Sequence, residues 1–394
     1  MSPHMTPTYY LDNAAATPLD PAVLEAMMPF LRDEFANPSS LYAPARLART
    51  AVESARGTIS SLLGAKPTEI IFTSGGTEGN NLAVQGVLSA WPNAHWVTTA
   101  IEHDAVLKIT SPMGQAGHAS AIVPAAPNGI VKVADVASSI RDDTVLVSVM
   151  MANNEIGTIQ PIADLAKLVA RVRQDRAARN ISPPLYLHTD AVQAAGYLDL
   201  HVARLGVDLL TISGSKIYGP KGTGALYVRH TTRLSPLQFG GGQERGRRSG
   251  TENVPGIIGL ARAMRLVADL RDAESHRLTP LRDRLVRELP KRIPGALLNG
   301  DIKRRLPNNV NFSFPRAEGE GLVLYLERQG ILASTGSACS TGSLDPSHVL
   351  GAIGRSRADA ASSLRLTFGR QTTEAVVERV IEVLPGIVER LRSL

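Results

Sequence analysis

The stretch Val207-Asp-Leu-Leu-Thr-Ile-Ser-Gly-Ser-Lys-Ile-Tyr-Gly-Pro-Lys-Gly-Thr-Gly224 decides the fold, since it runs from an apolar strand into a glycine-rich turn. Lys216 follows the strand directly and precedes a rigid Gly-Pro turn. Burial at this position would lower the pKa of the lysine, and a neutral lysine amine is what Schiff-base chemistry requires. The alternative of a surface lysine on a turn fits Lys221 better. Lys216 is therefore the candidate for covalent chemistry.

Similar apolar runs alternate with helical patterns on both sides of this stretch, from about residue 45 to residue 260. The runs that we expect to form strands are Ile70–Phe72, Trp96–Thr99, Val145–Met151, Leu185–His188, Val207–Ser213 and Ala225–Val228. The alternation predicts an α/β fold with a mostly parallel sheet flanked by helices. Functional groups in such sheets gather at the carboxyl ends of the strands, and polar or glycine-rich segments follow these runs.

The pattern changes after about Pro255. A long helical stretch over residues 257–289 is followed by short strands near residues 309–314 and 364–368. A closing helix begins at Thr373 and carries an apolar stripe, which predicts packing against a core. These elements indicate a smaller α+β domain.

The length of 394 residues and the apolar fraction of 43% are sufficient for two domains. We expect a large cofactor-binding domain over residues 17–262. Residues 1–16 and 263–394 are expected to form the small domain, which would carry the loop around Cys339.

The composition excludes several classes of protein. A single cysteine excludes an internal disulfide and any site with several cysteine ligands, so we expect a cytoplasmic protein without a metal. The first residues lack a signal-peptide pattern, and no run approaches the ~18 apolar residues of a membrane helix. The net charge is +6, but acidic and basic residues are interspersed along the chain. Aromatic residues make up only 4% of the sequence. Neither membrane association nor direct nucleic-acid binding is therefore expected.

The segment Ile71-Phe-Thr-Ser-Gly-Gly-Thr-Glu-Gly-Asn-Asn81 runs from a strand through a glycine turn into a helix. Free backbone N–H groups and the Thr77 hydroxyl would face one point there, and a phosphate would fit. The chain contains neither a dinucleotide glycine fingerprint nor a Walker loop, so the cradle would serve another phosphate group.

Asp190 ends a predicted strand, and Gln193 follows one helical turn later. A buried carboxylate needs a cationic partner. A protonated pyridine nitrogen would be such a partner, and the pairing would keep the ring electron-poor. The alternative is an aspartate that caps the following helix.

His103 and Asn154 also follow predicted strands, so we expect both at the same rim of the sheet. A single histidine is more often an ordinary hydrogen-bonded polar residue. Its convergence with Asp190 and Lys216 favours a role in stacking on a flat cofactor or in moving protons.

Cys339 lies in the run Ser334-Thr-Gly-Ser-Ala-Cys-Ser-Thr-Gly-Ser343, where small and turn-forming residues replace large apolar neighbours. The alternative for a single cysteine is a small buried hydrophobic residue. The flanking glycines favour a candidate nucleophile on a mobile loop.

Taken together, these motifs resemble the cysteine desulfurases of the class V aminotransferase branch of fold type I pyridoxal-phosphate enzymes. The resemblance is to the long-loop subgroup of iron–sulfur and nitrogen-fixation type, and it covers nearly the whole chain. The motifs that carry it are Leu11–Pro18, Phe72–Glu78, Glu102-His103, Asn153–Gly157, Asp190–Gln193, Lys216–Gly222, Glu244–Thr251 and Gly336–Ser340.

The resemblance implies roles for the candidate residues around pyridoxal 5'-phosphate. Lys216 would form the Schiff base with the cofactor, and His103 would stack on its ring. Asp190 would pair with the pyridine nitrogen, and Gln193 would bond to the ring hydroxyl oxygen. The residues implied at the phosphate are Gly76, Thr77, Ser213 and Ser215. Thr251 would reach the same phosphate from a partner subunit, so a homodimer is implied. The residues implied at the substrate are Asn154, Arg365 and Asn13.

The resemblance also implies the reaction. L-cysteine would be converted to L-alanine, and the Cys339 thiolate would attack the substrate sulfur to form a persulfide. The sulfur would then pass to an acceptor protein whose identity the sequence does not give. A family alternative is a selenocysteine lyase or another C–S lyase.

Ser215 departs from the family pattern, which usually has a histidine immediately before the lysine. Serine keeps a hydroxyl but has a shorter reach, so we expect a phosphate contact to be weakened by about 1 kcal/mol. This departure leaves a second alternative open, in which the chain is a catalytically weak homologue kept as a binding scaffold.

Overall fold

The computed structural model describes residues 8–336 and 346–394. Its strands, β1 to β12 in chain order, are Tyr9–Tyr10, Ile70–Thr73, His95–Thr99, Ser120–Val123, Thr144–Ser148, Tyr186–Asp190, Leu209–Ser213, Gly224–Val228, Leu297–Leu298, Asn309–Ser313, Ile331–Leu332 and Ser363–Thr367. Its helices, α1 to α13, are Pro21–Arg32, Ala43–Leu63, Gly76–Ser89, Asp104–Leu107, Thr110–Gln115, Val133–Ser139, Ile162–Ala178, Val202–Leu205, Val254–Arg292, Gly319–Arg328, His348–Ala352, Arg357–Ala361 and Glu374–Arg392.

The main sheet has the strand order β2-β8-β7-β6-β5-β3-β4. The strands from β7 to β4 in this order pair in parallel, whereas β8 runs antiparallel to both β7 and β2. Strands β3, β5, β6, β7 and β8 are buried along their whole length. Helices cover both faces of such a sheet, which explains the continuous apolar runs. The predicted mostly parallel α/β sheet is confirmed.

The carboxyl ends of the parallel strands lie at one edge of the sheet. Strand β2 leads through a glycine turn into α3, and β7 leads into a 3-10 turn that contains Lys216. Strand β6 ends at Asp190 itself. The predicted site residues on these segments are therefore brought to the same edge.

A second layer of structure forms around the antiparallel sheet β12-β10-β9. Its apolar core includes Phe312, Phe314 and Phe368, together with the stripe of α13 from Val376 to Val388. The segment over residues 9–12 joins this part, because β1 pairs with β11 and Asp12 bridges to Thr367.

Helix α9 connects the two hydrophobic cores. Its first half packs into the core of the main sheet through Leu260 and Met264, and its second half packs into the smaller core through Leu285 and Leu289. The separate cores are consistent with two domains, and the boundary near residue 262 stays a prediction. Within residues 8–336 and 346–394, the helices are each too short or too polar to cross a bilayer.

Candidate active site

A cavity of about 550 Å³ opens at the edge where the parallel strands end. Its volume lies in the range of pockets that hold a cofactor with a small substrate. The predicted site residues that line it are Gly76, Thr77, His103, Asn154, Asp190, Gln193, Ser213, Ser215, Lys216 and Arg365. Lys221, which the sequence placed on the surface, is exposed and also lies at this cavity.

Lys216 is fixed by contacts between its turn and the N-terminal segment. Its Nζ donates a hydrogen bond to the carbonyl of Ala15. Tyr218, which has a positive φ of 61°, donates its backbone N–H to Thr17 Oγ1 at 2.7 Å. The backbone N–H of Thr17 in turn donates to the Ser215 carbonyl at 2.9 Å. These bonds hold the amine at the cavity.

The amino end of α3 lines the cavity. Gly75 precedes the helix with a φ of 148°, in a region that side chains disfavour. A Cβ at Gly76 would lie 2.8 Å from Val192, so the close approach of these segments requires glycine. The hydroxyl oxygens of Ser213 and Ser215 lie 3.1 Å apart beside this turn. Hydroxyl groups and a helix amino end together suit a phosphate group.

Asp190 is held by two donors. Its Oδ2 accepts from Asn80 Nδ2 at 2.6 Å, and its Oδ1 accepts from the backbone N–H of Val192 at 2.9 Å. Gln193 donates from Nε2 to the Ala14 carbonyl at 3.0 Å. Asn80 was not predicted as a site residue, although it lies in the quoted segment 71–81, one helical turn after Gly76. Its position on the inner face of α3 was the available signal.

His103 lies at the amino end of α4, where its Nδ1 accepts the backbone N–H of Ala105 at 3.0 Å. In the neutral ring, the proton must then reside on Nε2. The preceding residue, Glu102, is fully buried and accepts from Thr99 Oγ1 at 2.7 Å and from the Met150 N–H at 2.9 Å. Burial raises the pKa of the Glu102 carboxyl to about 8.

Arg365 also lines the cavity and is only 2% exposed. Its Nη2 donates to Asp12 at 2.7 Å, and its Nη1 donates to the carbonyls of Asn154 and Gly336 at 3.1 Å. Among the described residues, Arg365 Nε and Asn154 Oδ1 are buried without a hydrogen-bond partner. A buried donor and a buried acceptor in one cavity favour a polar ligand, since leaving them unpaired is costly.

Two of the predicted residues that the structure describes do not line this cavity. Asn13 is buried, and its side chain donates to the Thr367 carbonyl at 2.8 Å. Thr251 is exposed outside the cavity. Cys339 lies outside the described residues.

The cavity fits pyridoxal phosphate in the chemistry of its donors. It combines a lysine amine, a buried carboxylate with a neighbouring imidazole, hydroxyl groups at a helix amino end, and an unpaired guanidinium N–H. The first three groups are complementary to the aldehyde, the pyridine nitrogen and the phosphate of pyridoxal phosphate, and the guanidinium N–H is complementary to the carboxylate of an amino-acid substrate.

The sequence family described as aminotransferase class V matches residues 9–380. The chain is 48% identical over 387 residues to a cysteine desulfurase IscS of Dictyoglomus turgidum, covering 98% of this chain and 95% of that protein. A solved NifS-like protein is similar with a TM-score of 0.87 and 35% identity, covering 98% of this chain and 100% of that one. SspA, solved in complex with cysteine, is similar with a TM-score of 0.77 and 34% identity over 92% and 99% of the two chains.

These comparisons confirm the family and the fold type expected from the motifs. The match extends into both hydrophobic cores and includes every described segment that lines the cavity. The chain therefore belongs to the class V aminotransferase family.

Proposed function

We propose that this chain is a pyridoxal-phosphate-dependent cysteine desulfurase that forms L-alanine and a persulfide on Cys339. The observation that carries the proposal is the cavity that joins Lys216, Asp190 and Arg365 in a chain 48% identical to a cysteine desulfurase. The comparisons favour neither the lyase nor the scaffold alternative. Pyridoxal phosphate is the cofactor of this class of enzymes.

The described residues divide into groups around the cofactor. Lys216 would bind its aldehyde carbon, and Asp190 would hold a proton on its ring nitrogen. Gly76, Thr77, Ser213 and Ser215 would hold its phosphate. When bound, the cofactor supplies an electron sink for the electron pair released at the substrate carbon.

The substrate carboxylate would bind at Arg365 and Asn154. The unpaired Nε of Arg365 is a charge-assisted donor, and burial at 2% exposure keeps water away from it. Asp12, Asn154 and Gly336 hold the other guanidinium nitrogens, which fixes the plane of the fork. The residue therefore orients the substrate rather than only attracting it.

Two residues would move protons at the reacting carbon. The amine of Lys216 lies at the cavity and is held by the Ala15 carbonyl. His103 uses Nδ1 as an acceptor for the Ala105 N–H, which directs its proton to Nε2. Lys216 would carry the proton to and from the substrate, and His103 would support it as a general acid or base.

The sulfur step is balanced without an added oxidant. The Cys339 thiolate forms an S–S bond to the substrate sulfur, and the C–S bond breaks with its electron pair left on carbon. That carbon takes a proton, so L-cysteine and the thiol become L-alanine and a persulfide. Cys339 is three residues beyond Gly336, which lines the cavity, and three residues span at most about 11 Å.

A homodimer in the cytoplasm and a protein acceptor for the sulfur complete the proposal. Thr251 is exposed outside its own cavity, which supports a contribution to the phosphate site of a second copy. Exposed apolar side chains on α1, α2 and the segment between them support an interface. They are Leu24, Met28, Leu31, Phe35, Leu41 and Leu47.

The test compares the wild type with Cys339→Ser after loading with pyridoxal phosphate. Both proteins should show the visible absorption of a lysine Schiff base, because the cavity is unchanged. The wild type should convert L-cysteine to L-alanine and gain one sulfur on Cys339, whereas the variant should form no persulfide. Sustained alanine formation by Cys339→Ser would favour the lyase. A wild type that cannot retain the cofactor would favour the scaffold.

A further inference from the structure

We propose that Glu155 is a positioning residue for the sulfur-transfer step, because its carboxyl group lies between Gly336 and Ser347. These two described residues lie on either side of the segment that carries Cys339. The inference rests on the proposed function and adds a residue to it. Glu155 is 4% exposed and does not line the cavity, so it acts through its neighbours.

The first contact is with Ser347 at the start of α11. The Ser347 hydroxyl donates to Glu155 Oε2 and accepts the backbone N–H of Leu350 at 3.1 Å. The serine is therefore a helix cap whose proton is directed to the glutamate. Both side chains are buried, so water does not compete with this bond.

The second contact is with Gly336. A Cβ at this glycine would lie 3.4 Å from the same oxygen, Glu155 Oε2, which places the backbone of Gly336 against the carboxyl group. The carbonyl of Gly336 accepts from Arg365 Nη1 at 3.1 Å. One carboxyl oxygen thus lies against both residues that flank the cysteine-bearing segment.

The backbone of Glu155 is itself anchored. Its carbonyl accepts from Asn309 Nδ2 at 3.2 Å and from Asn311 Nδ2 at 3.1 Å, and both asparagines belong to β10 of the smaller core. Its N–H donates to Asn153 Oδ1 at 2.8 Å. Burial raises the pKa of the Glu155 carboxyl.

These contacts connect Gly336 and Ser347, on either side of the Cys339 segment, to the residues proposed to bind the substrate. Glu155 directly follows Asn154, whose carbonyl binds Arg365, and Arg365 in turn binds Gly336. Loss of the carboxyl group would leave Asn154 and Arg365 in place but would release Ser347. The thiol should then reach the substrate sulfur less often, while the substrate still binds.

The experiment uses the cofactor-loaded protein with Glu155→Ala, Glu155→Gln and Ser347→Ala. Ser356→Ala is the matched control, because Ser356 caps α12 through the Asp359 N–H at 3.0 Å without contacting Glu155. The readouts are persulfide formation on Cys339, L-cysteine affinity from the absorption change, and alkylation of Cys339 by iodoacetamide. Since Cys339 is the only cysteine of the chain, the alkylation signal is unambiguous.

Glu155→Ala and Ser347→Ala should each slow persulfide formation about tenfold and change L-cysteine affinity by less than about twofold. Both should change the alkylation rate of Cys339 in the same direction. Glu155→Gln keeps an acceptor oxygen on a side chain of the same shape, so it should retain the wild-type rates. Ser356→Ala should also match the wild type.

Wild-type persulfide formation in Ser347→Ala would overturn the positioning role, as would an equal loss in Ser356→Ala. A loss that is matched by weaker L-cysteine binding would also overturn it. If Glu155→Ala does not fold, Ser347→Ala decides the question. A wild type that forms neither alanine nor persulfide would instead refute the proposed function, and the alkylation rates would still test the contacts.

Discussion

Replacing Glu244 with alanine is expected to lower the free energy of unfolding by about 3–5 kcal/mol, because it leaves a buried guanidinium without its carboxylate. Glu244 is 7% exposed and Arg56 is 3% exposed. The carboxylate accepts both terminal nitrogens of Arg56 at 2.8 Å and the backbone N–H of Phe72 at 3.0 Å. The variant would therefore leave three buried N–H groups unpaired at the start of the segment that carries Thr251.

In this variant, the buried charge of Arg56 would keep only weaker partners. Its remaining partners are the Ile70 carbonyl at 2.8 Å, the half-exposed Glu53 at 3.1 Å, and the Phe72 ring, whose centroid lies 4.6 Å from the Arg56 Cζ. This residual pairing favours the lower end of the range, about 3 kcal/mol. Urea denaturation followed by circular dichroism would measure the change in midpoint at a constant slope.

Arg179→Ala is the control for an exposed pair, since Arg179 and Asp175 are both at least half exposed. Its loss should shift the urea midpoint much less than Glu244→Ala does, because solvent screens an exposed ion pair. If Glu244→Ala costs no more than this control, the Arg56–Glu244 pair is not the anchor that its burial and distances indicate.

Further predictions concern three residues at the cavity. Lys216→Ala should abolish alanine formation from L-cysteine and the visible absorption of the Schiff base; retention of both in amino-acid analysis and spectra would contradict its role. Since burial raises the pKa of Glu102 to about 8, the folded state binds a proton that the unfolded chain releases above about pH 4.3, and stability from this group is lost as pH rises through about 8. Glu102→Gln should therefore flatten the decline of the urea midpoint between about pH 4.3 and about pH 8, and an unchanged decline would contradict the raised pKa. Ser215→His should slow cofactor release by about fivefold, the equivalent of ~1 kcal/mol, and an unchanged release rate would show that the serine costs no affinity.

Most of the main sheet could be predicted because its strands are buried on both faces. Strand β4 was not predicted, since it lies at the sheet edge with Ser120 and Ile122 exposed, so its apolar pattern is weak. The antiparallel direction of β8 had a signal in the sequence. Only ten residues separate β7 from β8, fewer than a parallel crossover needs.

A site residue could be predicted where its position at the end of one strand was enough to place it at the cavity. Lys216 and Asp190 were found in this way because each ends or follows a buried strand. Asn80 and Glu155 were missed because their contacts depend on residues 110 and 192 positions away. Asn13 illustrates the converse case, since its segment reaches the cavity while its side chain bonds to β12.

The proposed function is tested most directly by a single turnover of L-cysteine on the cofactor-loaded chain, with alanine and the mass of the Cys339 peptide measured in the same sample. The account predicts equal amounts of L-alanine and of a Cys339 peptide that has gained one sulfur. Alanine released without any sulfur on Cys339 would contradict it, as would a loaded protein that forms neither product.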